Sequence, residues 1–214
     1  MYVNGDNEVP RIGCISDVLD KKSKGWLKVE STTLGLGYLP YQTKVKVLGT
    51  ENHKELVTIL EGFFKGQEAL CPFVSWDDTG DYWSFIKTNS TRTRAVKMIC
   101  DSKNRVLMVN GLTKFSITLD NGELKKGRYL IHIPAYPHFK QSLGKYLDEN
   151  RGGSRFAETW FKIVPVGGVH SGQFLHFGKY SQGCLTVLEN WTELYSRLIS
   201  RRLDDVSVGT LLVK

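Results

Sequence analysis

The chain has 214 residues, enough for one large domain or two small ones, and its 41% hydrophobic and 24% charged content is that of a globular protein rather than a disordered polymer. No apolar run approaches the roughly 20 residues of a membrane-spanning helix, and the polar residues 1–7 lack the basic onset and apolar stretch of a secretory signal peptide. A net charge of +7 with a pI near 9.2 favours anionic partners, but Lys and Arg are dispersed without an arginine-rich arm, so a solvated basic surface is expected and a nucleic-acid partner is not.

In chain order, the first ninety residues read as short strands broken by turns. Gly25 to Val29, Thr43 to Gly49 and Leu56 to Leu60 are β-like, the second with clean alternation, and Asp77-Asp78-Thr79-Gly80 is a turn before a strand from Tyr82 to Ile86. This spacing suggests a small β-barrel. A polar, basic stretch from Lys87 to Arg94 marks the boundary, giving domains of 1–92 and 93–214. Sheet then resumes at Ala95 to Cys100, Arg105 to Asn110, Phe115 to Leu119 and Arg128 to Ile133, with turns at Asp101 to Asn104 and Asp120 to Gly122. Gln141 to Ser154 is a polar excursion, and Trp160 to Val166 and Phe174 to Phe177 return to strand character. Thr186 and Glu189 form a capping-box pattern ahead of Leu188, Trp191, Leu194, Tyr195, Leu198 and Ile199, which predicts a C-terminal helix with Arg197, Arg201 and Arg202 in its last turn. The fold expected is mainly β with one C-terminal helix.

Four cysteines, Cys14, Cys71, Cys100 and Cys184, are widely spaced without a CxxC pair, which argues against a zinc ribbon or a thioredoxin-type motif. Cys14, Cys71 and Cys100 are most simply small buried hydrophobes. Cys184 differs, because it follows Ser181, Gln182 and Gly183 and precedes the predicted helix, with His176 and His170 upstream. A thiol attacks a carbonyl as its thiolate, so it needs neighbours that favour the anion or accept its proton. A helix N-terminus contributes only about 0.3 to 1 kcal/mol to a nearby charge, whereas one pKa unit is about 1.4 kcal/mol. A second cationic or hydrogen-bonding partner is therefore needed, which is why the nearby histidines matter, and both read H-x-G. His176 ends an apolar strand and is favoured over His170. Gly183 allows a sharp turn and lets a substrate carbonyl approach the amides of Gly183 and Cys184, a potential oxyanion hole. The competing reading is a glycine turn beside a buried, inert cysteine.

These residues resemble the catalytic domain of the L,D-transpeptidase family, whose pattern is a histidine and glycine, a variable loop, then Ser/Thr-His-Gly-Cys and an aliphatic residue. His176 with Gly178, then Ser181, Gly183, Cys184 and Leu185 match it, and Val96 to Asn110 and Gly127 to Ile131 resemble the family's opening hairpin and following strand. The resemblance covers about residues 93 to 214 and implies a β-sandwich catalytic domain. Thr43 to Gly49 with its following strand resembles bacterial Src-homology-3-like modules, which implies such a module for residues 1–92. Gln182 stands where the family's second histidine usually lies, Thr186 where an arginine is common, and the loop from His176 to Cys184 is short.

The resemblance implies acyl transfer on bacterial peptidoglycan stem peptides through a Cys184 thioester, resolved by an amine or by water, in a periplasmic or other extracytoplasmic setting. It calls for no cofactor and no metal. His176 would move the proton, Ser181 would orient it, and Tyr180, Gln182, Thr186, Tyr136 and His138 are candidates for substrate contact. The alternative on the same fold is a catalytically silent module that binds cell wall or peptide.

Overall fold

The computed structural model describes residues 10–19, 22–31, 35–75, 82–90, 93–119, 124–138, 156–169, 172–179, 181 and 183–214. The turns expected at 77–80 and 120–122 and the excursion at 141–154 lie outside them, as do His170, Tyr180 and Gln182. The chain divides into two compact units, Met1–Thr91 and Arg92–Lys214.

The first unit consists of β1 (Arg11–Ile15), β2 (Trp26–Ser31), β3 (Gly35–Pro40), β4 (Lys44–Glu51), β5 (Lys54–Ile59), β6 (Glu68–Ser75), β7 (Tyr82–Ser84) and β8 (Ile86–Lys87). The barrel-like arrangement expected there takes the form of an antiparallel ladder in the order β3-β2-β6-β5-β4-β1-β8, with β7 on β6. Alternation explains its two faces. Val45 and Val47 of β4 and Val57 and Ile59 of β5 point into a core with Ile15, Val18, Leu27, Val29, Leu39, Ala69, Cys71 and Ile86, while Lys44 and Lys46 remain exposed. Asn52 and His53 both adopt positive φ (48° and 58°) between the paired Glu51 and Lys54, the two-residue geometry whose twist matches an antiparallel hairpin. The buried Glu55 carboxylate accepts hydrogen bonds from the Arg11 guanidinium and the Ser84 hydroxyl, which compensates its removal from water.

The second unit contains β9 (Val96–Asp101), β10 (Val106–Val109), β11 (Thr113–Thr118), β12 (Gly127–His132), β13 (Phe161–Pro165), β14 (Phe174–Phe177), β15 (Leu185–Val187), α1 (Trp191–Ile199) and β16 (Ser207–Val213). Its strands close on themselves in the order β10-β11-β15-β14-β13-β12-β16-β9. Pairing is antiparallel except for β14 with β15 and β16 with β9, which are parallel. The sandwich expected from the resemblance is thus realised as a single closed sheet of mixed direction, and the chain is mainly β. Phe161, Ile163, Leu175, Phe177, Leu185 and Val187 are buried on adjoining strands.

The helix begins later than its sequence pattern predicts. Leu185, Thr186 and Val187 are all buried in β15, paired with β14 on one side and β11 on the other, so Thr186 is not a helix cap. Glu189 accepts a hydrogen bond from Ser116 Oγ at 2.7 Å rather than capping a turn. The residue before the helix is Asn190, in the left-handed region (φ 54°) and without a side-chain cap. Burial of Leu185 and Val187 in the sheet outweighs the local capping signal, since a cap is worth only about 1 kcal/mol. The helix buries Trp191, Leu194, Tyr195, Leu198 and Ile199, and the Tyr195 ring stacks on Phe156 at 4.3 Å. At its far end Arg202 Nη1 donates to the carbonyl of Ile199 at 2.9 Å, a cation on an otherwise orphaned helix carbonyl.

Candidate functional site

The site is organised by the parallel pairing of β14 and β15. Leu175 pairs with Leu185, His176 with Thr186 and Phe177 with Val187. Residues in register point to the same side of a sheet, so His176 and Thr186 share one face while Leu175 and Leu185 share the other. Cys184 immediately precedes β15, one step before the Leu175–Leu185 pair. Its thiol faces the backbone of Phe174, whose N–H favours the thiolate.

His176 is held on three sides. Its ring is fully buried at 0% exposure. Nδ1 lies 2.9 Å from the carbonyl of its own neighbour Phe177, and since a carbonyl only accepts, Nδ1 carries the proton and Nε2 is the ring's basic nitrogen. Nε2 lies 3.2 Å from Thr186 Oγ1, whose hydroxyl donates to it. The Trp160 indole stacks on the imidazole at 4.2 Å with an interplanar angle of 15°. On the same indole lies His138, stacked at 4.6 Å, so one tryptophan contacts two imidazoles. Trp160 is fixed in turn by its Nε1 donating to the carbonyl of Ala157 at 3.1 Å, and the His138 backbone N–H donates to the carbonyl of Glu158 at 2.6 Å.

Burial sets the protonation states. Desolvation drives the His176 pKa down to about 4, only partly opposed by the hydrogen bond to Phe177, so the imidazole is neutral near pH 7. His138 is also lowered, first by burial and then by the charge of Lys162. Cys184, 7% exposed, is pushed above the ordinary thiol range by burial, with Phe174 opposing. The pair is therefore a neutral thiol and a neutral base, not a preformed ion pair. The helix-terminus contribution expected from the sequence is removed by β15, which places the start of α1 seven residues beyond the cysteine.

Each remaining candidate has its own place. The Ser181 hydroxyl is buried and donates to the carbonyl of Cys184 at 2.5 Å, pinning the turn around the thiol rather than reaching the imidazole. Gly183 adopts φ 83°, a conformation that disfavours any side chain, and its carbonyl accepts from Gln173 Nε2 at 2.9 Å. Thr186, expected to contact substrate, is buried against His176. His138 is half-buried beside Trp160, and Tyr136 is exposed. Sequence reasoning missed Trp160 and Gln173, which lie outside the motif and act through packing across strands. A large aromatic at the start of an apolar strand is a weak signal by itself. Among the described residues no group of three His, Cys, Asp or Glu side chains is placed to hold a metal ion, and no helix is long and apolar enough to cross a membrane.

No family model matches the chain, and no curated protein does. Among solved structures the chain is similar to L,D-transpeptidase 1 of Mycobacterium tuberculosis, with 12% identity, coverage of 96% of this chain and 99% of that one, and a TM-score of 0.35. It is also similar to an L,D-transpeptidase from Mycobacterium tuberculosis H37Rv, with 11% identity, coverage of 96% and 90%, and a TM-score of 0.36.

Proposed function

We propose that the second unit is a cysteine acyltransferase acting on peptidoglycan stem peptides, as an L,D-transpeptidase or an L,D-carboxypeptidase. The reading is supported above all by one observation: the parallel register that sets His176 against Thr186 puts Cys184, two residues before Thr186, on the same face as the imidazole, whose Nδ1 is committed to the Phe177 carbonyl so that the lone pair of the neutral ring is on Nε2. In this mechanism the Cys184 thiol passes its proton to His176 Nε2, displacing the Thr186 hydroxyl, as sulfur attacks the carbonyl of an L,D-peptide bond. The C–N bond breaks, the departing amine of the terminal D-residue takes the proton from Nε2, and a thioester remains. An amine of a second stem, or water, then attacks the thioester with Nε2 again accepting the proton, and the thiol is restored.

The raised thiol and the lowered imidazole both oppose a standing thiolate, so this route requires proton transfer to be coupled to attack on the bound carbonyl. Ser181 and Gly183 shape the turn that presents the sulfur. The wall substrate would place the activity outside the cytoplasm.

Incubation with purified muropeptides, read by mass spectrometry, tests the reading. Loss of the terminal residue or appearance of a cross-linked dimer is expected, and Cys184→Ala is expected to lower either product by at least about a thousandfold. The buried, elevated thiol also favours a second reading, a stem-peptide binder without turnover. Unchanged masses with wild-type protein, alongside measurable muropeptide binding, would select that one.

A further inference from the structure

The parallel pair that carries the thiol and the imidazole continues sideways into a row on which a cation stands. Lys162 of β13 pairs with Phe174 of β14, and His132 of β12 pairs with Lys162. Because Leu175 pairs with Leu185, the rung holding Phe174 points at Cys184, and the Phe174 backbone faces the thiol. The rung therefore reads His132, Lys162, Phe174, Cys184 from β12 toward β15. Lys162 lies two strand spacings from the sulfur, roughly 10 Å between backbones, a gap that a flexible four-carbon stem shortens.

The register above puts Lys162 on the face of the sheet that carries the site, and its charge bears on a residue packed there. That residue is His138, which packs edge-on against Phe174 at 5.8 Å and face-on against Trp160. Lys162 is half-buried, and among the described residues it makes no ion pair. A half-buried cation without a carboxylate partner has lost part of its hydration with nothing in return. Thr186 supplies no charge, since it is uncharged and its hydroxyl is spent on His176.

We propose that Lys162 is the specificity-determining residue that binds the C-terminal carboxylate of the residue to be expelled. This rests on the acyltransfer reading above. The reaction fixes where that anion must be, because the carboxylate lies one residue beyond the attacked carbonyl, a step of about 3.8 Å. In this proposal the leaving residue runs from the carbonyl over Cys184 along the rung toward β13, which brings its carboxylate to Lys162. The enzyme is then an end-reader: it accepts stems whose next residue is the last, and discriminates against stems that continue or end in an amide.

The test compares a tetrapeptide stem with a free C-terminus and the same stem as its C-terminal amide, with wild-type protein, Lys162→Met and Lys162→Glu. Wild type is expected to prefer the acid by roughly tenfold or more in kcat/KM, carried mainly by KM, as befits a charge-assisted contact. In Lys162→Met the ratio falls toward one, and in Lys162→Glu the amide becomes the better substrate. An acid-to-amide ratio that is the same in all three proteins would overturn the proposal. Binding of the same two peptides to Cys184→Ala and to Cys184→Ala/Lys162→Met, by calorimetry, reads the contact without turnover. A preference for the acid that vanishes with Lys162 supports the assignment, while equal affinities or no binding to Cys184→Ala overturn it. Failure of wild type to turn over either stem while Cys184→Ala still selects the acid would sink the catalytic reading and leave the carboxylate site standing.

Discussion

At the scale of single residues, His176 concentrates the consequences. Its Nε2 accepts from the Thr186 hydroxyl, so Thr186→Val takes a donor away from a buried acceptor, a loss expected to cost about 1 to 3 kcal/mol of stability. Thr186→Ser keeps the hydroxyl and is expected to recover most of it, and urea denaturation of the three proteins separates the outcomes. The depressed His176 pKa has a stability signature of definite sign. The unfolded ring titrates near 6.5 and the folded one near 4, so between these values the unfolded state binds the extra proton and stability falls as pH falls. Full benefit is present above about 6.5, and roughly 3 kcal/mol is gone by about pH 4. Urea midpoints at pH 7, 5.5 and 4 should show that decline in wild type and a shallower one in His176→Gln. The motif that drew attention to His176 and Cys184 was legible because both lie within nine residues. Trp160 was not, because its contact with His176 depends on β13 folding beside β14, and no local pattern encodes a stacking partner sixteen residues away.

At the scale of elements, alternation made most strands legible, including β14, whose limits Phe174 and Phe177 coincide with the sequence reading. Of the strands that were not assigned, β16, β6 and β15 depart from alternation for physical reasons. In β16 five of the seven residues are buried, so the two-residue period is blurred, and Gly209 interrupts the apolar series. Pro72 interrupts β6, and β15 is three residues long beside a stronger helix signal. Gly209 has its own reason to be there. It pairs with Val96 across the parallel β16–β9 ladder, and a Cβ at this position would lie 2.1 Å from the Val96 carbonyl oxygen and 2.8 Å from its carbonyl carbon. Backbone cannot swing aside as a side chain can. Gly209→Ala is therefore expected to cost about 3 kcal/mol or more, visible as a lower thermal midpoint, whereas alanine at Gly111, with nothing within 4 Å of its Cβ, meets only the milder strain of its positive φ.

At the scale of the whole chain, a mainly β architecture and a C-terminal helix were readable from composition, alternation and one apolar series. Closure of the second sheet was not, because it depends on which distant edges meet: β9 is joined to β16 across more than a hundred residues. Pairing between separate strands likewise assembles the candidate site, since Trp160 and, stacked on it, His138 reach His176 only when β13 pairs with β14.

That ring has a consequence for synthesis. β16 is inserted between β12 and β9, so until residues 207–213 emerge from the ribosome both of those strands present bare backbone donors and acceptors to whatever is near. Translation order thus leaves this unit open for nearly its entire production, and a pause late in the message would prolong the interval in which neighbouring nascent chains can pair with the vacant edges.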